Sequence, residues 1–244
     1  AENVKGLVNV GDVKDIIQKD FASADGEGYI VLPPQVLHAG NYGVPEMRER
    51  VIFIGIRKNA LRPEALKALT SQQVPQEYDP YPMPTHSATV KGSNLLGIVT
   101  TKDVLEGLKE PERTIDASQQ LYSKAKFLAT GQGQTEIKLD NLGPTIRSEH
   151  HGNIEFRRLS LEHGGKHFDE LNAGLQERRL TPRECALIQT FPPDYRFVMK
   201  KANGRGYRLS SSGAYKVIGN AVPPVLAFNI AMRLQEVWDE YFMP

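Results

Sequence analysis

Glu46-Met47-Arg48-Glu49-Arg50-Val51-Ile52-Phe53-Ile54-Gly55-Ile56 passes within a few residues from charge-rich to continuously apolar. The run 51–56 is β-branched and aromatic, and it reads as a strand buried on both faces. Arg48 and Arg50 alternate ahead of it, so in extended backbone both guanidinium groups project to one side at the strand mouth. Upstream, Tyr29-Ile30-Val31-Leu32 is a second strand, and Pro33-Pro34 ends it or places it at an edge. Val13, Ile16, Ile17 and Phe21 share one face of a helix over 12–22, which Asp12 is placed to cap and Gly26 to Gly28 breaks. Helix, strand, turn and buried strand in that order fit part of an α/β sheet.

Composition bounds the rest. A chain of 244 residues, 40% hydrophobic, allows one large or two small domains. The longest clearly apolar run, 51–56, is far too short to span a bilayer, and the start shows no basic-then-apolar signal pattern, so a cytoplasmic protein without a membrane partner is expected. The one cysteine, Cys185, excludes an intrachain disulfide and a CxxC metal site. His150, His151, His163 and His167 form a loose cluster that lacks helical spacing and a cysteine partner, so no metal site is expected. Net charge is only +1, but from Arg196 to Lys216 the cations Arg196, Lys200, Lys201, Arg205, Arg208 and Lys216 occur without an Asp or Glu. Interleaved with Tyr195, Phe197 and Tyr207, that block suits phosphate contacts, and it also suits a solvated loop.

Further along, the proline- and tyrosine-rich stretch 75–87 reads as a linker leaving the first domain. A short helix is expected over 100–108. Thr181-Pro182-Arg183-Glu184 is a helix start, with a threonine cap, proline in the first turn and the carboxylate of a capping box. Leu226, Ile230, Leu234, Val237 and Tyr241 form the apolar stripe of a last helix that begins at Pro223-Pro224.

Four motifs in order, Glu2-Asn3-Val4, Glu46 to Val51, Leu180-Thr181-Pro182-Arg183-Glu184-Cys185 and Gly219-Asn220-Ala221-Val222-Pro223-Pro224, resemble the second half of a DNA cytosine-5 methyltransferase of the bacterial modification type. Asn41-Tyr42-Gly43 and Thr190-Phe191-Pro192 fit alongside. The resemblance implies a partial Rossmann-like, S-adenosylmethionine-dependent methyltransferase sheet in 1–79. It implies a smaller mixed α+β target-recognition domain in 80–200, and a hinge and closing helix in 201–244. The family's glycine-rich cofactor loop and its Pro-Cys nucleophile precede the ENV motif and are not among these residues. A partner segment, an N-terminal half on a separate polypeptide or otherwise missing, is therefore expected to supply them, and the chain alone is expected to be inactive.

By the same resemblance Glu2 contacts N3 of a cytosine flipped from the duplex. Attack of a nucleophile on C6 needs N3 to take a proton or a strong hydrogen bond, a task suited to a buried carboxyl. Arg50 contacts the flipped base and orders the nucleophile loop, and Arg48 helps hold that geometry. The family has glutamine where this chain has Glu46, which leaves the glutamine's task unassigned. Gly219, Asn220, Ala221 and Val222 close the S-adenosylmethionine pocket, and their position before a helix suggests a terminus that binds anions. That pocket is incomplete here. Residues 57–178 match the family's variable region, where Arg147, His150, His151, Asn153, Arg157 and Arg158 are the candidate base readers, with Lys200, Lys201, Arg205 and Arg208 on phosphate. Cys185, in the first turn of an apolar helix, reads as a small buried hydrophobe rather than a nucleophile.

The implied function is part of a methyltransferase acting on C5 of cytosine in a specific duplex site, in a restriction–modification setting near the nucleoid. The alternative is a non-catalytic DNA-binding remnant or specificity subunit. Without the rest of the sheet, the strand over 51–56 and the last helix should expose apolar surface and drive self-association.

Overall fold

The computed structural model describes residues 1–24, 26, 28–91, 94–148 and 154–242. In chain order the elements used below are β1 (Glu2–Val4), α1 (Val13–Ser23), β2 (Tyr29–Val31), β3 (Gln35–His38), β4 (Glu49–Ile52), β5 (Gly55–Arg57), α2 (Pro63–Leu69), β6 (His86–Ser87), β7 (Leu96–Gly97), α3 (Thr101–Leu105) and α4 (Ala117–Gln120). They continue with β8 (Phe156–Arg158), α5 (Phe168–Asn172), β9 (Arg178–Arg179), α6 (Pro182–Ile188), β10 (Met199–Lys200), β11 (Tyr207–Leu209), α7 (Ser211–Asn220), α8 (Pro224–Glu236) and α9 (Trp238–Tyr241). The chain divides into two compact units. One comprises Ala1–Tyr42, Glu49–Leu96 and Val225–Pro244; the other comprises Gly43–Arg48 and Gly97–Pro224. The divisions thus fall at 96/97 and 224/225, not at the expected 79/80 and 200/201.

In the first unit β4 is the centre of an antiparallel sheet ordered β1-β4-β3, and β5 pairs with β2. The single strand expected over 51–56 is two strands in two sheets. The switch is built on distant partners: the Phe53 amide donates to Ala1 O at 2.8 Å, whereas Ile54 O accepts from the Leu32 amide at 3.0 Å. The ladders between named strands described here are antiparallel; parallel pairing occurs as the isolated bridges Glu46↔Gly143 and Glu136↔Phe156. The Rossmann-like sheet is not displayed by these strands. The predicted exposure of the apolar run is also corrected: Val51, Ile52, Phe53, Ile54 and Ile56 are all buried.

Residues 75–87 are no linker. Pro80, Tyr81 and Pro82 are buried, and the Tyr81 hydroxyl donates to Ile52 O at 3.0 Å, so the stretch packs on the sheet that it was expected to leave. Of the last helix's stripe, Leu226, Val237 and Tyr241 are buried. Ile230 and Leu234 instead line a cavity of about 440 Å³ with Ala1, Phe21, Tyr29 and residues 52–55. Exposed apolar surface lies at Ile16, Phe21, Phe228, Met232 and Trp238. Helix α1 buries none of its residues, and Asp12 makes no side-chain cap.

The second unit packs α3, α6 and α7 around Ile146, Ile154, Leu180, Cys185, Ile188, Phe197 and Tyr215. Both of its capping boxes are local in origin. Thr100 with Asp103 starts α3, and Thr181 with Glu184 starts α6 at Pro182, the latter as the sequence predicts. Helix α6 ends in a Schellman turn: the Phe191 amide donates to Ala186 O and that of Thr190 to Leu187 O, both at 2.9 Å. The turn requires a left-handed residue, and Thr190 takes it at φ 64°.

By length and a mean hydropathy of 1.3, the run Ser211–Glu236 could cross a membrane. It is two helices, α7 and α8, with residues 221–223 between them outside either.

Candidate active-site and nucleic-acid-binding residues

The first unit joins the two candidate catalytic motifs. Strand β1 lies antiparallel to β4 with Glu2 opposite Ile52 and Val4 opposite Arg50. Glu2 and Arg50 are therefore diagonal neighbours on one face, within reach of long side chains. Arg50 Nε and Glu2 Oε1 meet at 2.7 Å, the arginine side chain 10% and the glutamate 27% exposed. Glu2 is thus partly exposed and ion-paired, where a buried carboxyl was expected. Arg50 Nη1 also donates to Glu49 O at 2.8 Å, which orients the guanidinium along the strand.

Arg48 lies ahead of β4, in the second unit, and is fully buried. Nη1 donates to Ile146 O at 3.0 Å, and Nη2 donates to Gly219 O at 2.8 Å and Ala221 O at 2.7 Å. Arg48 is a positioning residue that ties two distant turns together. Glu46 completes the knot: its Oε1 accepts from the Ile146 amide at 2.6 Å and lies 3.5 Å from Arg48 Nη1. The departure from the family's glutamine is therefore a buried carboxylate beside a buried guanidinium.

The Gly219-Asn220-Ala221-Val222 turn also differs from expectation. Gly219 and Asn220 are the last residues of α7, so the turn offers carbonyls from a helix C-terminus, not N–H groups. The following helix opens on Pro224, which has no N–H. Gly219 is required where it stands, because an added Cβ would lie 2.2 Å from Arg147 C and 2.4 Å from the Ser148 amide nitrogen. Asn220 is exposed, and Ala221 and Val222 are half-buried.

The candidate base readers separate into two groups. Arg158 is fully buried, with Glu170 Oε2 at 2.6 Å, Glu110 Oε2 at 2.7 Å and Gln176 O at 3.0 Å. Arg157 lies against Glu170 and is 3.1 Å from His167 Nδ1. Arg158 is consumed by the fold, which argues against a DNA contact; Arg157, though engaged by Glu170, is only half-buried and lines a cavity with Lys102 and Arg113. Arg147 stays half-exposed, 3.6 Å from Glu155 Oε1. His150, His151 and Asn153 lie outside the described residues.

Lys200, Lys201, Arg205 and Arg208 are exposed on the β10–β11 hairpin, whose tip turns through Gly204 (φ 69°) and Gly206 (φ 75°). Phe197, grouped with them in sequence, belongs to the core and meets Phe191 edge-on at 5.0 Å.

Sequence reasoning missed the buried ionic lattice around Arg178 and Arg179. Arg178 bridges Glu184 at 2.8 Å and Glu110 at 2.9 Å. Arg179 donates to Gly133 O at 2.7 Å and Gln134 Oε1 at 3.0 Å, and its guanidinium stacks 3.8 Å above the Phe156 ring. Adjacent residues of a strand face opposite ways, so two neighbouring buried arginines need partners on both sides; no local pattern announces them. Cys185 is fully buried, and burial pushes its thiol well above the ordinary value, so it is no nucleophile. No group of three or more His, Cys, Asp or Glu among the described residues is placed to hold a metal.

The chain is 30% identical over 236 residues to the Type II methyltransferase M.BsuRI of Bacillus subtilis, covering 95% of this chain and 48% of that protein. It is 30% identical over 249 residues to M.FnuDI of Fusobacterium nucleatum, covering 97% of this chain and 63% of the relative. The chain thus spans about half to two thirds of the length of these relatives. A crystal structure of a prophage-encoded DNA modification methyltransferase from E. coli shares the fold, with TM-score 0.55 at 20% identity over 98% of this chain and 69% of that one. The model of the C-5 cytosine-specific DNA methylases matches residues 1–236, and the chain belongs to that family.

Proposed function

We propose that this chain provides target recognition and part of the active site of a DNA cytosine-5 methyltransferase, in a restriction–modification setting. The reaction moves a methyl group from S-adenosylmethionine to C5 of a cytosine flipped out of a duplex site. The observation that carries the reading is the Glu2–Arg50 pair at 2.7 Å, which unites two motifs 48 residues apart on one sheet face. A carboxyl and a guanidinium side by side form a hydrogen-bonding edge suited to a pyrimidine: Glu2 takes up a proton when the base enters and donates it toward N3, and Arg50 faces the base. When C6 is attacked, electron density reaches N3, and Glu2 holds the proton or hydrogen bond that accepts it.

S-adenosylmethionine supplies the methyl group when bound. The exposed Asn220 and the half-buried Val222 fit one end of that cofactor, while the Gly219 and Ala221 carbonyls are already engaged by Arg48. The nucleophilic cysteine and the glycine-rich loop lie outside these 244 residues, since the one cysteine follows Glu184 and is fully buried. They belong to an N-terminal segment, on this polypeptide or another. Without it the chain is inactive, and the exposed Phe228, Met232 and Trp238 favour self-association. A DNA-binding remnant would have no use for the Glu2–Arg50 pair, which favours the enzyme.

The test is transfer of a labelled methyl group to mixed-sequence duplex DNA by the chain alone, then with the N-terminal half of a relative added. Activity confined to the mixture, and lowered about 10²- to 10⁴-fold by Glu2→Gln, supports the proposal. Full activity in Glu2→Gln removes Glu2 from the chemistry. Silence of the chain alone and of the mixture, with salt-dependent DNA binding kept, selects the remnant.

A further inference from the structure

Ile115 is 100% exposed. Lone surface apolar residues are ordinary, but this one is presented on a fixed turn. On one side the Asp116 amide donates to Thr114 Oγ1 at 3.1 Å. On the other, Asp116 caps α4 by accepting from the Ser118 amide at 2.9 Å and also accepts from Arg183 Nε at 2.6 Å. The backbone that carries the isoleucine is therefore held in place while the residue stays fully exposed.

The same residue stands at the rim of a cavity of about 670 Å³ lined by Arg183, Arg196, Lys200 and Arg208, with Asp116 and Asp194 as its acidic members. Asp116 is already engaged by Arg183. The Arg183 side chain is only 5% exposed, and its Nη1 has no hydrogen-bond partner. That buried guanidinium stands behind three exposed cations, Arg196, Lys200 and Arg208, and their combined positive field suits an anion. The Val198 amide donates to Ser118 Oγ at 3.0 Å, which fastens the base of the basic hairpin to the turn that bears Ile115.

We propose that this cavity seats one backbone phosphate of duplex DNA, held by Arg196, Lys200 and Arg208 with the charge of Arg183 behind them, and that Ile115 makes an apolar contact with the base beside that phosphate. The inference rests on the DNA-binding reading above and adds a seat and a base contact to it. The cations supply salt-dependent affinity at any sequence. Isoleucine has no hydrogen bond to offer, so it favours a thymine methyl or an unstacked base face.

The test is binding of labelled duplexes by the full chain, followed by fluorescence anisotropy across a salt series. Arg196→Ala and Arg208→Ala, exposed positions that carry little folding risk, are each expected to lower the slope of log K against log salt by about one. Ile115→Ala is expected to weaken binding by about tenfold at every salt concentration, with the slope unchanged. Unchanged slopes in the arginine variants, or unchanged affinity in Ile115→Ala, overturn the inference while DNA binding by the rest of the hairpin stands. Absence of salt-dependent duplex binding by the unsubstituted chain overturns the inference together with the DNA reading beneath it.

Discussion

Arg48→Ala is expected to be among the most destabilising single substitutions in the second unit. Its guanidinium is fully buried and donates to Ile146 O, Gly219 O and Ala221 O at 3.0, 2.8 and 2.7 Å. A hydrogen bond to a charged group contributes about 1.5–3 kcal/mol, and a buried carbonyl left without its donor costs about 1–3 kcal/mol. Three such bonds do not add fully, and removal of one partner from a buried charged cluster commonly costs about 3–5 kcal/mol. Glu46 would also lose its cation, 3.5 Å away. We therefore expect a loss of about 4 kcal/mol, a large part of the stability of an ordinary domain. Urea unfolding followed by circular dichroism measures it. Arg48→Lys keeps the charge but cannot fork to both turns, and about half the loss is expected. An Arg48→Ala chain within about 1 kcal/mol of the unsubstituted protein would refute the assignment of Arg48 as the tie between these turns.

Thr190→Gly is expected to stabilise the chain by up to about 1 kcal/mol, because a β-branched residue at φ 64° occupies a position that glycine takes without strain; a lower melting temperature in the variant would count against this. Burial raises the Glu110 and Glu170 carboxyls, but Arg178 and Arg158 around Glu110, and Arg157 and Arg158 around Glu170, pull both to a net position below the ordinary 4.5. Their folded forms bind fewer protons than the unfolded chain, so this stability is complete above 4.5 and is lost as pH falls through the lower folded values. Thermal melts over that acidic range should show the decline, and Glu110→Gln should flatten it; an identical decline in the variant would assign the loss elsewhere. Cys185 is expected to resist thiol reagents in the folded chain and to react once urea unfolds it, and rapid labelling without denaturant would contradict its burial.

Features written in adjacent residues were legible in the sequence. Thr181, Pro182 and Glu184 act within one turn, so the capping box could be read directly. The exposure of the hairpin followed from a charge run that no acidic residue interrupts. The division of 51–56 into two strands was not legible, because it depends on Ala1 and Leu32 taking successive hydrogen bonds of Phe53 and Ile54. Arg158 looked like a DNA contact for the same reason: its carboxylate partner Glu110 lies 48 residues away in the chain. Glu2 and Arg50 were each identifiable by motif, yet their union is a matter of strand register. Gly219 was placed at the head of a helix because the weak pattern from Ser211 to Asn220 hid the helix that it ends.

The knot at Glu46 has a topological consequence. The Met47 amide donates to Gly143 O at 2.8 Å and the Gly143 amide to Pro45 O at 2.9 Å, while Glu46 accepts from an amide 100 positions downstream. The intervening chain is thus a closed excursion whose two ends are clamped. The entropy of closing such a loop rises only with the logarithm of its length, about 0.6 kcal/mol for each doubling. Inserted segments can lengthen the excursion at little thermodynamic cost without moving its clamp, whereas a one-residue slip inside 45–48 or 143–146 would break it.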